Sequence, residues 1–203
     1  MPDHYFTPLP QSGRQPARFS FPYRGQTMIF DTDSGVFSRF GVDKGSRCLL
    51  NALPNAMVGT VLDMGCGYGA IGLSLAKAYP RCSVTLADVN LRAVHLTGAN
   101  AQGNGVSVRT LVSDGFSALN GELFDFILLN PPIRAGKKVI YRMFADAACY
   151  LNAGGQFWLV IRKQQGAPSA IAWLQERFSQ VETVDKSGGY WVLRCTKPHT
   201  KEE

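Results

Sequence analysis

Glycines alternate with other residues, beginning two residues after an acid, in the stretch Asp63-Met64-Gly65-Cys66-Gly67-Tyr68-Gly69. An apolar, strand-like run precedes the stretch and a helix-like run follows it. Glycine lets the backbone bend sharply and come close to a ligand, while the N-terminus of a helix offers unpaired N–H groups to an anionic group. The stretch therefore predicts a ligand-binding turn between a strand and a helix.

A second acid, Asp88, ends the next apolar run along the chain. A carboxylate at that place can accept hydrogen bonds from both hydroxyls of a ribose. The run from Gly67 to Gly72 also satisfies the dinucleotide pattern G-x-G-x-x-G, which keeps an NAD(P)-dependent oxidoreductase as an alternative at this point. The glycines and the acid indicate a cofactor that contains a nucleoside, but they do not choose which one.

A stiff polar turn, Asn130-Pro131-Pro132-Ile133, follows the apolar run Phe124–Leu129. Proline fixes its own φ and lacks an N–H, so two prolines in succession exclude a helix directly after the strand. The carboxyl edge of a central strand faces the crevice where open α/β sheets bind ligands. At that edge the side-chain oxygen of Asn130 and the adjacent carbonyls would form an acceptor pocket for an –NH2 group.

Such acceptors suit a reaction in which an exocyclic amine attacks an electrophile. The lone pair of an aromatic amine is delocalised into its ring, which makes the nitrogen a weak nucleophile. Acceptors that hold its hydrogens favour a pyramidal nitrogen and stabilise the positive charge that develops during the attack. No strong base is needed beforehand, because the proton can leave afterwards. The predicted catalytic residues are Asn130, Pro131, Pro132 and Ile133.

The turn after the third apolar run contains Asp114 and Phe116. Asp114 is the natural partner for the amine of an adenine ring in the cofactor, and Phe116 would pack on that ring. An aspartate in a turn is common for purely structural reasons. Both residues are nevertheless predicted to contact the cofactor.

Apolar runs with strand character alternate with helix-like stretches from residue 60 onwards. The predicted strands are Thr60–Leu62, Ser83–Leu86, Val106–Val112, Phe124–Leu129 and Gln156–Ile161, and the predicted helices are Ala70–Ala78, Leu91–Gln102, Lys138–Leu151 and Ser169–Phe178. This alternation with short connections implies right-handed crossovers and a mostly parallel sheet with helices on both faces. The predicted fold class is α/β.

Further elements flank this alternating core. A hairpin is predicted at Ala17–Phe21 and Thr27–Phe30 around Gly25, and another at Val181–Asp185 and Tyr190–Cys195 around Gly188-Gly189. A short helix is predicted at Ser46–Leu53, before Pro54. The predicted division is an N-terminal arm, hairpin and lid over residues 1–54, a core over residues 55–197 and a tail over residues 198–203.

The composition favours a single globular domain with an anionic partner. The chain has 203 residues, 45% of them hydrophobic, and a formal net charge of +6. This excess of positive charge favours nucleic acid as the partner first and an acidic membrane surface second. The scattered cysteines and histidines show no disulfide or metal-ligand spacing. No apolar run approaches a membrane span and no signal peptide is recognised, so a cytoplasmic location is expected.

The series that starts at Asp63 resembles the first motif of class I methyltransferases, which have a Rossmann-like fold with a seven-stranded sheet. The wider pattern resembles the small-domain methyltransferases, including short, single-domain relatives of the bacterial enzymes that methylate guanine N2 in small-subunit ribosomal RNA. The stretches that carry this resemblance are the glycine series, Asp31–Ser38, Asn130–Lys137 and Lys163–Ser169.

The resemblance implies S-adenosylmethionine as the cofactor and the target amine as the acceptor of its methyl group. The implied cofactor-binding residues are Asp63, Gly65, Gly67, Gly69, Asp88, Asp114, Phe116 and Asn130. The segment Thr32–Ser38 would close over the cofactor. Many relatives that methylate adenine or glutamine have an aromatic residue after Asn-Pro-Pro, whereas this chain has Ile133, which favours the guanine branch.

RNA is the partner that the basic residues around this region favour. The predicted substrate-binding residues are Phe37, Arg134, Lys137, Lys138 and Lys163. Phosphates contribute much of the affinity of any RNA-binding protein, and a target base has to be unpaired to enter such a pocket. A protein glutamine presents the same –NH2 group, so a protein glutamine methyltransferase is the alternative within the same chemistry. Oligomeric state is not predicted.

Overall fold

A computed structural model describes residue 8 and residues 12–198 of the chain. Its strands are β1 (Ala17–Tyr23), β2 (Gln26–Thr32), β3 (Gly59–Met64), β4 (Cys82–Asp88), β5 (Arg109–Val112), β6 (Phe124–Leu129), β7 (Leu151–Arg162), β8 (Phe178–Ser187) and β9 (Tyr190–Pro198). Its helices are α1 (Lys44–Ala52), α2 (Ala70–Ala78), α3 (Leu91–Gly103), α4 (Lys137–Cys149) and α5 (Ala167–Gln175). Most of the predicted arm, and the predicted tail beyond Pro198, lie outside the described residues.

The main sheet has seven strands in the order β5-β4-β3-β6-β7-β9-β8. Strands β5, β4, β3, β6 and β7 run parallel, and β9 joins β7 and β8 by antiparallel ladders. The sequence predicted this class I methyltransferase sheet and the hairpin in front of it, and both predictions are confirmed. The hairpin is β1 with β2, paired from Ala17 with Thr32 to Tyr23 with Gln26.

The two faces of the sheet bury separate groups of apolar side chains, as a doubly covered parallel sheet requires. On β3, Val61 belongs to the group that includes Leu73 of α2, whereas its neighbour Leu62 belongs to the group that includes Phe144 of α4. Residues of the hairpin and of α1 are fully buried in the first group, for example Phe30 and Leu49. The N-terminal elements thus help to build one face of the core.

Several predicted boundaries differ from the observed ones, and three of them have a clear local reason. The third core strand begins at Arg109 and not at Val106, because the Val106 N–H bonds to the Ala101 carbonyl and closes the turn after α3. Helix α4 ends before Leu151, which pairs with Phe124 and opens β7. Helix α5 ends before Phe178, which opens β8.

The helices in the described part of the chain are short. The longest, α3 and α4, have 13 residues each. In the described part of the chain, no helix is long and apolar enough to span a bilayer.

Candidate active site

The glycine turn and the proline turn leave the sheet side by side. Met64 at the end of β3 pairs with Leu129 at the end of β6 in a parallel ladder. Gly65 and Asn130 therefore start from the same level of the same sheet edge. Strand order reverses between β3 and β6, which is the point where open α/β sheets bind their ligands.

A cavity of about 480 Å³ lies at this edge, a volume within the usual range for small-molecule sites. Among the predicted site residues, those that line it are Phe37, Gly65, Gly67, Asp88, Asp114, Asn130, Pro131 and Pro132. Apolar side chains such as Met64, Ile71 and Val139 form much of the remaining wall. The fold thus brings together predicted residues from five separate parts of the chain.

The glycine turn is held by backbone hydrogen bonds to the neighbouring strand. The N–H groups of Gly65 and Cys66 both donate to the Ala87 carbonyl, at 2.8 and 3.0 Å. Gly67 has a φ of +58°, in the left-handed region that a side chain disfavours. A Cβ built on Gly67 would meet nothing within 4 Å, so the space beside this backbone is open. The turn therefore presents bare backbone to the cavity.

A hydrogen bond between Asp63 and Gly72 holds helix α2 against strand β3, which precedes the turn. The Asp63 carboxylate accepts the Gly72 N–H at 2.7 Å, and its burial raises the pKa of the Asp63 carboxyl to about 7. A Cβ on Gly72 would lie 2.6 Å from the Leu86 side chain. Asp63 is not among the residues that line the cavity. Its observed contact holds the loop in place, and Gly69 likewise begins the helix as its N-cap.

Asp88 points its carboxylate at the same turn from the end of β4. Its two oxygens accept the N–H groups of Gly67 and Asn90, each at 2.8 Å. Only 8% of Asp88 is exposed, and burial raises its pKa, while these hydrogen bonds oppose the shift. Each carboxylate oxygen can accept more than one hydrogen bond, so the side chain keeps capacity for hydroxyl groups of a ligand.

Asn130 is held by two residues that the sequence analysis did not identify. Its side-chain nitrogen donates to the Asp43 carboxylate at 3.2 Å and to the Ser46 hydroxyl at 3.0 Å. Asp43 is the N-cap of α1, and both partners line the cavity. An aspartate directly before a helix-like run is a recognisable N-cap signal. That signal could have located the helix start, but it carries no information about Asn130.

Asp114 reaches the cavity, whereas Phe116 does not. Asp114 forms an exposed ion pair with Arg142 at 2.7 Å, and both residues line the cavity. Phe116 is only 3% exposed, and its ring lies 4.8 Å from that of Tyr150, centroid to centroid. The ring of Phe116 therefore packs in the core below α4, away from the position that the sequence analysis gave it.

The residues after the proline turn also lie outside the cavity wall. Ile133 begins a short 3-10 turn and packs against the core on the α4 face. The basic residues Arg134, Lys137, Lys138 and Lys163 are exposed and do not line the cavity. Ala135 and Val139, the wall residues on either side of the lysine pair, place that pair close to the cavity mouth.

The N-terminal segment closes one side of the cavity. Val36 and Phe37 line it, and the Asn90 side chain donates to the Gly35 carbonyl at 2.8 Å. Arg92 donates to the Ser34 carbonyl at 2.8 Å. These bonds tie the segment to the start of α3, so the part of the chain expected to act as a lid forms a wall.

Comparison with known proteins gives a family match over most of the chain. The model of the methyltransferase small domain family matches residues 27–194. The Bacillus subtilis (strain 168) protein YbxB, which is uncharacterized, is 44% identical over 200 residues that cover 97% of this chain and all of YbxB.

Ribosomal RNA small subunit methyltransferase C of Klebsiella pneumoniae is 34% identical over 85% of this chain, which spans only 50% of that enzyme. A solved Thermus thermophilus 16S rRNA N2 G1207 methyltransferase (RsmC), in complex with AdoMet and guanosine, superposes with a TM-score of 0.81 at 31% identity. That match covers 93% of this chain and 52% of the other. A ribosomal protein L11 methylase from Lactobacillus delbrueckii, with 21% identity and a TM-score of 0.65 over 79% of this chain and 81% of the other, shows the fold alone.

These matches decide between the two cofactors that the glycine pattern left open. They favour S-adenosylmethionine over a nicotinamide nucleotide. The chain belongs to the methyltransferase small domain family, whose cofactor is S-adenosylmethionine.

Proposed function

We propose that this protein transfers a methyl group from S-adenosylmethionine to an exocyclic amine of RNA, guanine N2 of ribosomal RNA being the favoured target. The observation that carries the proposal is the placement of Gly65 and Asn130 at adjacent strand ends on one cavity. One of these residues belongs to a bare backbone turn suited to a cofactor, and the other is an amide suited to an amine.

The cavity fits the cofactor by the chemistry of its wall. The backbone at Gly65 and Gly67 leaves open space where a side chain would stand. The Asp88 carboxylate has spare acceptor capacity for the ribose hydroxyls. Asp114 supplies an acceptor at the far end, and apolar residues such as Val89 and Met143 supply surface for a flat ring.

The protein's own part in the reaction is to hold and orient the amine. When bound, the cofactor supplies a methyl carbon made electrophilic by its sulfonium. The Asn130 side-chain oxygen and the backbone carbonyls of this turn accept hydrogen bonds from the amine hydrogens. The nitrogen lone pair forms the new N–C bond, the S–C bonding pair returns to sulfur, and the amine then loses one proton to solvent. The acceptors stabilise the transient positive charge on nitrogen.

Three features favour RNA as the substrate. The relative solved with guanosine is a ribosomal RNA methyltransferase. The chain has a net charge of +6, which favours a polyanion. Three positions after the cavity residue Phe37 in the chain, Phe40 is 80% exposed, and the Arg39 guanidinium lies 4.7 Å from the centroid of its ring. An exposed aromatic ring with an arginine beside it is a surface on which an unpaired base can stack.

Methyl transfer from labelled S-adenosylmethionine tests the proposal directly. The acceptors are ribosomal RNA and ribosomal protein, both from a strain that lacks the gene. We expect label in RNA, recovered as N2-methylguanosine after digestion, and a sharply lower but measurable rate with the Asn130→Ala protein. Label in glutamine of a protein would support the alternative substrate and contradict the RNA proposal. Mass spectrometry of the nucleosides in the deletion strain gives the same answer in cells.

A further inference from the structure

The orientation of the Asn130 amide is fixed by its partners. A carboxylate only accepts hydrogen bonds, so the group of Asn130 that contacts Asp43 has to be the –NH2. The Ser46 hydroxyl accepts from the same nitrogen. The side-chain oxygen therefore points away from both, and no described residue donates to it. The half-buried Asn130 thus has one satisfied end and one acceptor available to the cavity.

We propose that Asp43 and Ser46 are positioning residues for methyl transfer, which hold the Asn130 oxygen toward the target amine. This inference rests on the proposed function, since it assigns how the acceptor of that reaction is aimed. The juxtaposition joins the start of α1 to the end of β6, two elements far apart in the chain. Neither Asp43 nor Ser46 has a role implied by the sequence pattern around the proline turn.

Helix α1 is a rigid support for this arrangement. Asp43 caps it by accepting the Ser46 N–H at 3.1 Å, which fixes both partners relative to each other. Ser46 is only 4% exposed, and Leu49 and Leu50 further along the helix are fully buried. Precise support of an acceptor is what a reaction that depends on orientation needs, because small displacements cost large factors in rate.

The same contacts make the flipped amide unfavourable. A rotation by half a turn would place the Asn130 oxygen against the Asp43 carboxylate, acceptor against acceptor. The correct orientation instead gives a charge-assisted hydrogen bond. Donation from the –NH2 to a carboxylate also polarises the amide and makes its oxygen a stronger acceptor for a nitrogen that becomes positive. Asp43 thus contributes orientation and polarisation together.

Two substitutions separate this role from helix capping. Ser46→Ala removes one acceptor of the Asn130 amide and leaves the Asp43 cap in place. Asp43→Ser keeps a capping oxygen, because serine is a good N-cap, but it removes the negative charge from Asn130. We expect kcat to fall roughly tenfold for each variant, with the Kd for S-adenosylhomocysteine and the Tm nearly unchanged. Ser46→Thr, which keeps the hydroxyl, should restore turnover, and Lys44→Ala at the exposed neighbouring position is the matched control.

A double-mutant cycle with Asn130→Ala distinguishes the positioning role of Ser46 from a general structural role. Single-turnover rates are measured for Ser46→Ala in the wild-type and Asn130→Ala proteins. If Ser46 acts through Asn130, its substitution has no further effect once Asn130 is gone. An equal loss in both backgrounds would overturn the positioning role, while the low activity of Asn130→Ala itself would still support the proposed function. Full activity of Asn130→Ala would instead overturn the function assigned to that residue and the positioning with it.

Discussion

The Asp88 carboxylate at the end of β4 accepts the Gly67 N–H at 2.8 Å and so links this strand end to the glycine turn that follows β3, beside the cavity. One residue thereby shapes the glycine turn and, in the proposed function, also offers an anionic group to a ribose. The turn and the acid cannot be altered independently, because a change of Asp88 also leaves the N–H of Gly67 without its partner. Variants of Asp88 are therefore expected to alter the glycine turn as well as the carboxylate.

Replacement of Asp88 should weaken cofactor binding more than it weakens the fold. Asp88→Ala removes hydrogen bonds to a charged acceptor, each contributing about 1.5–3 kcal/mol. We expect the Kd for S-adenosylhomocysteine, measured by calorimetry, to rise at least tenfold. Asp88→Asn keeps one acceptor oxygen and should lose less. An unchanged Kd in Asp88→Ala would refute the ribose role.

Gly67→Ala should weaken cofactor binding, because the methyl group of the alanine would occupy space that the cofactor needs. Its φ of +58° makes alanine unfavourable by roughly 1–2 kcal/mol. Gly105 is the matched control, since its φ is +63°, a Cβ there also meets nothing within 4 Å, and it does not line the cavity. Both alanine variants should lose similar stability in urea unfolding, but only Gly67→Ala should raise the Kd for S-adenosylhomocysteine. Equal binding by both variants would contradict the close approach at Gly67.

The elements that the sequence predicts best are those with strong stop signals at both ends. Helix α2 and strand β6 match their predicted bounds, Ala70–Ala78 and Phe124–Leu129. The first lies between Gly69 and Tyr79-Pro80, and the second ends at Asn130-Pro131. Glycine and proline restrict the backbone locally, so the sequence alone carries that information.

What the sequence does not reveal depends on contacts between distant residues. The partners of Asn130 lie 87 and 84 positions away along the chain, so no local pattern points to them. Phe116 was expected beside the cofactor, but a phenylalanine next to a turn suits a core position equally well. Strand β7 starts at Leu151 because Leu151 can pair with Phe124, although Gly154-Gly155 suggests a turn. Tertiary packing overrides local preference in each of these cases.

The buried Asp63 should make stability depend on pH in the direction opposite to that of a paired surface acid. Burial raises its folded-state pKa to about 7, whereas the unfolded value is near 3.8. Between these values the folded state holds the extra proton, so stability falls as pH rises from about 4 to about 7, by up to roughly 4 kcal/mol. Urea unfolding of the wild type and of Asp63→Asn, measured from pH 5 to pH 8.5, tests this.

Asparagine cannot ionise, so Asp63→Asn does not lose this stability. The unfolding free energy of the wild type should therefore fall relative to that of Asp63→Asn as the pH rises. The shift should level off above the folded-state pKa. A difference that stays constant across the range, or that favours the wild type at high pH, would contradict the raised pKa of Asp63.

Phe116→Leu should affect the fold and leave the cofactor site intact. The Phe116 ring is buried against Tyr150, so the smaller side chain should lose about 1–2 kcal/mol of stability. The Kd for S-adenosylhomocysteine should stay within twofold of the wild-type value in calorimetry. A markedly higher Kd in this variant would support the adenine contact that the sequence suggested and contradict the observed packing.

Charge removal at Lys137 and Lys138 should weaken RNA binding and flatten its salt dependence. Both side chains are exposed at the start of α4, between the cavity residues Ala135 and Val139. Each lost contact with a phosphate of single-stranded RNA should lower the slope of log K against log salt by roughly 0.7. The measurement is RNA binding to the Lys137→Gln/Lys138→Gln protein at several salt concentrations, followed by fluorescence anisotropy.

The control for this experiment removes the same charge elsewhere. Arg81 and Lys197 are exposed near the opposite edge of the sheet, where β4 begins and where β9 ends. The Arg81→Gln/Lys197→Gln protein has the same net charge as the lysine variant, so a loss of slope confined to the lysine pair is due to position. A shared, equal loss would mean that RNA senses only the total charge of the protein. An unaltered slope in both proteins would remove the lysine pair from the RNA-binding surface.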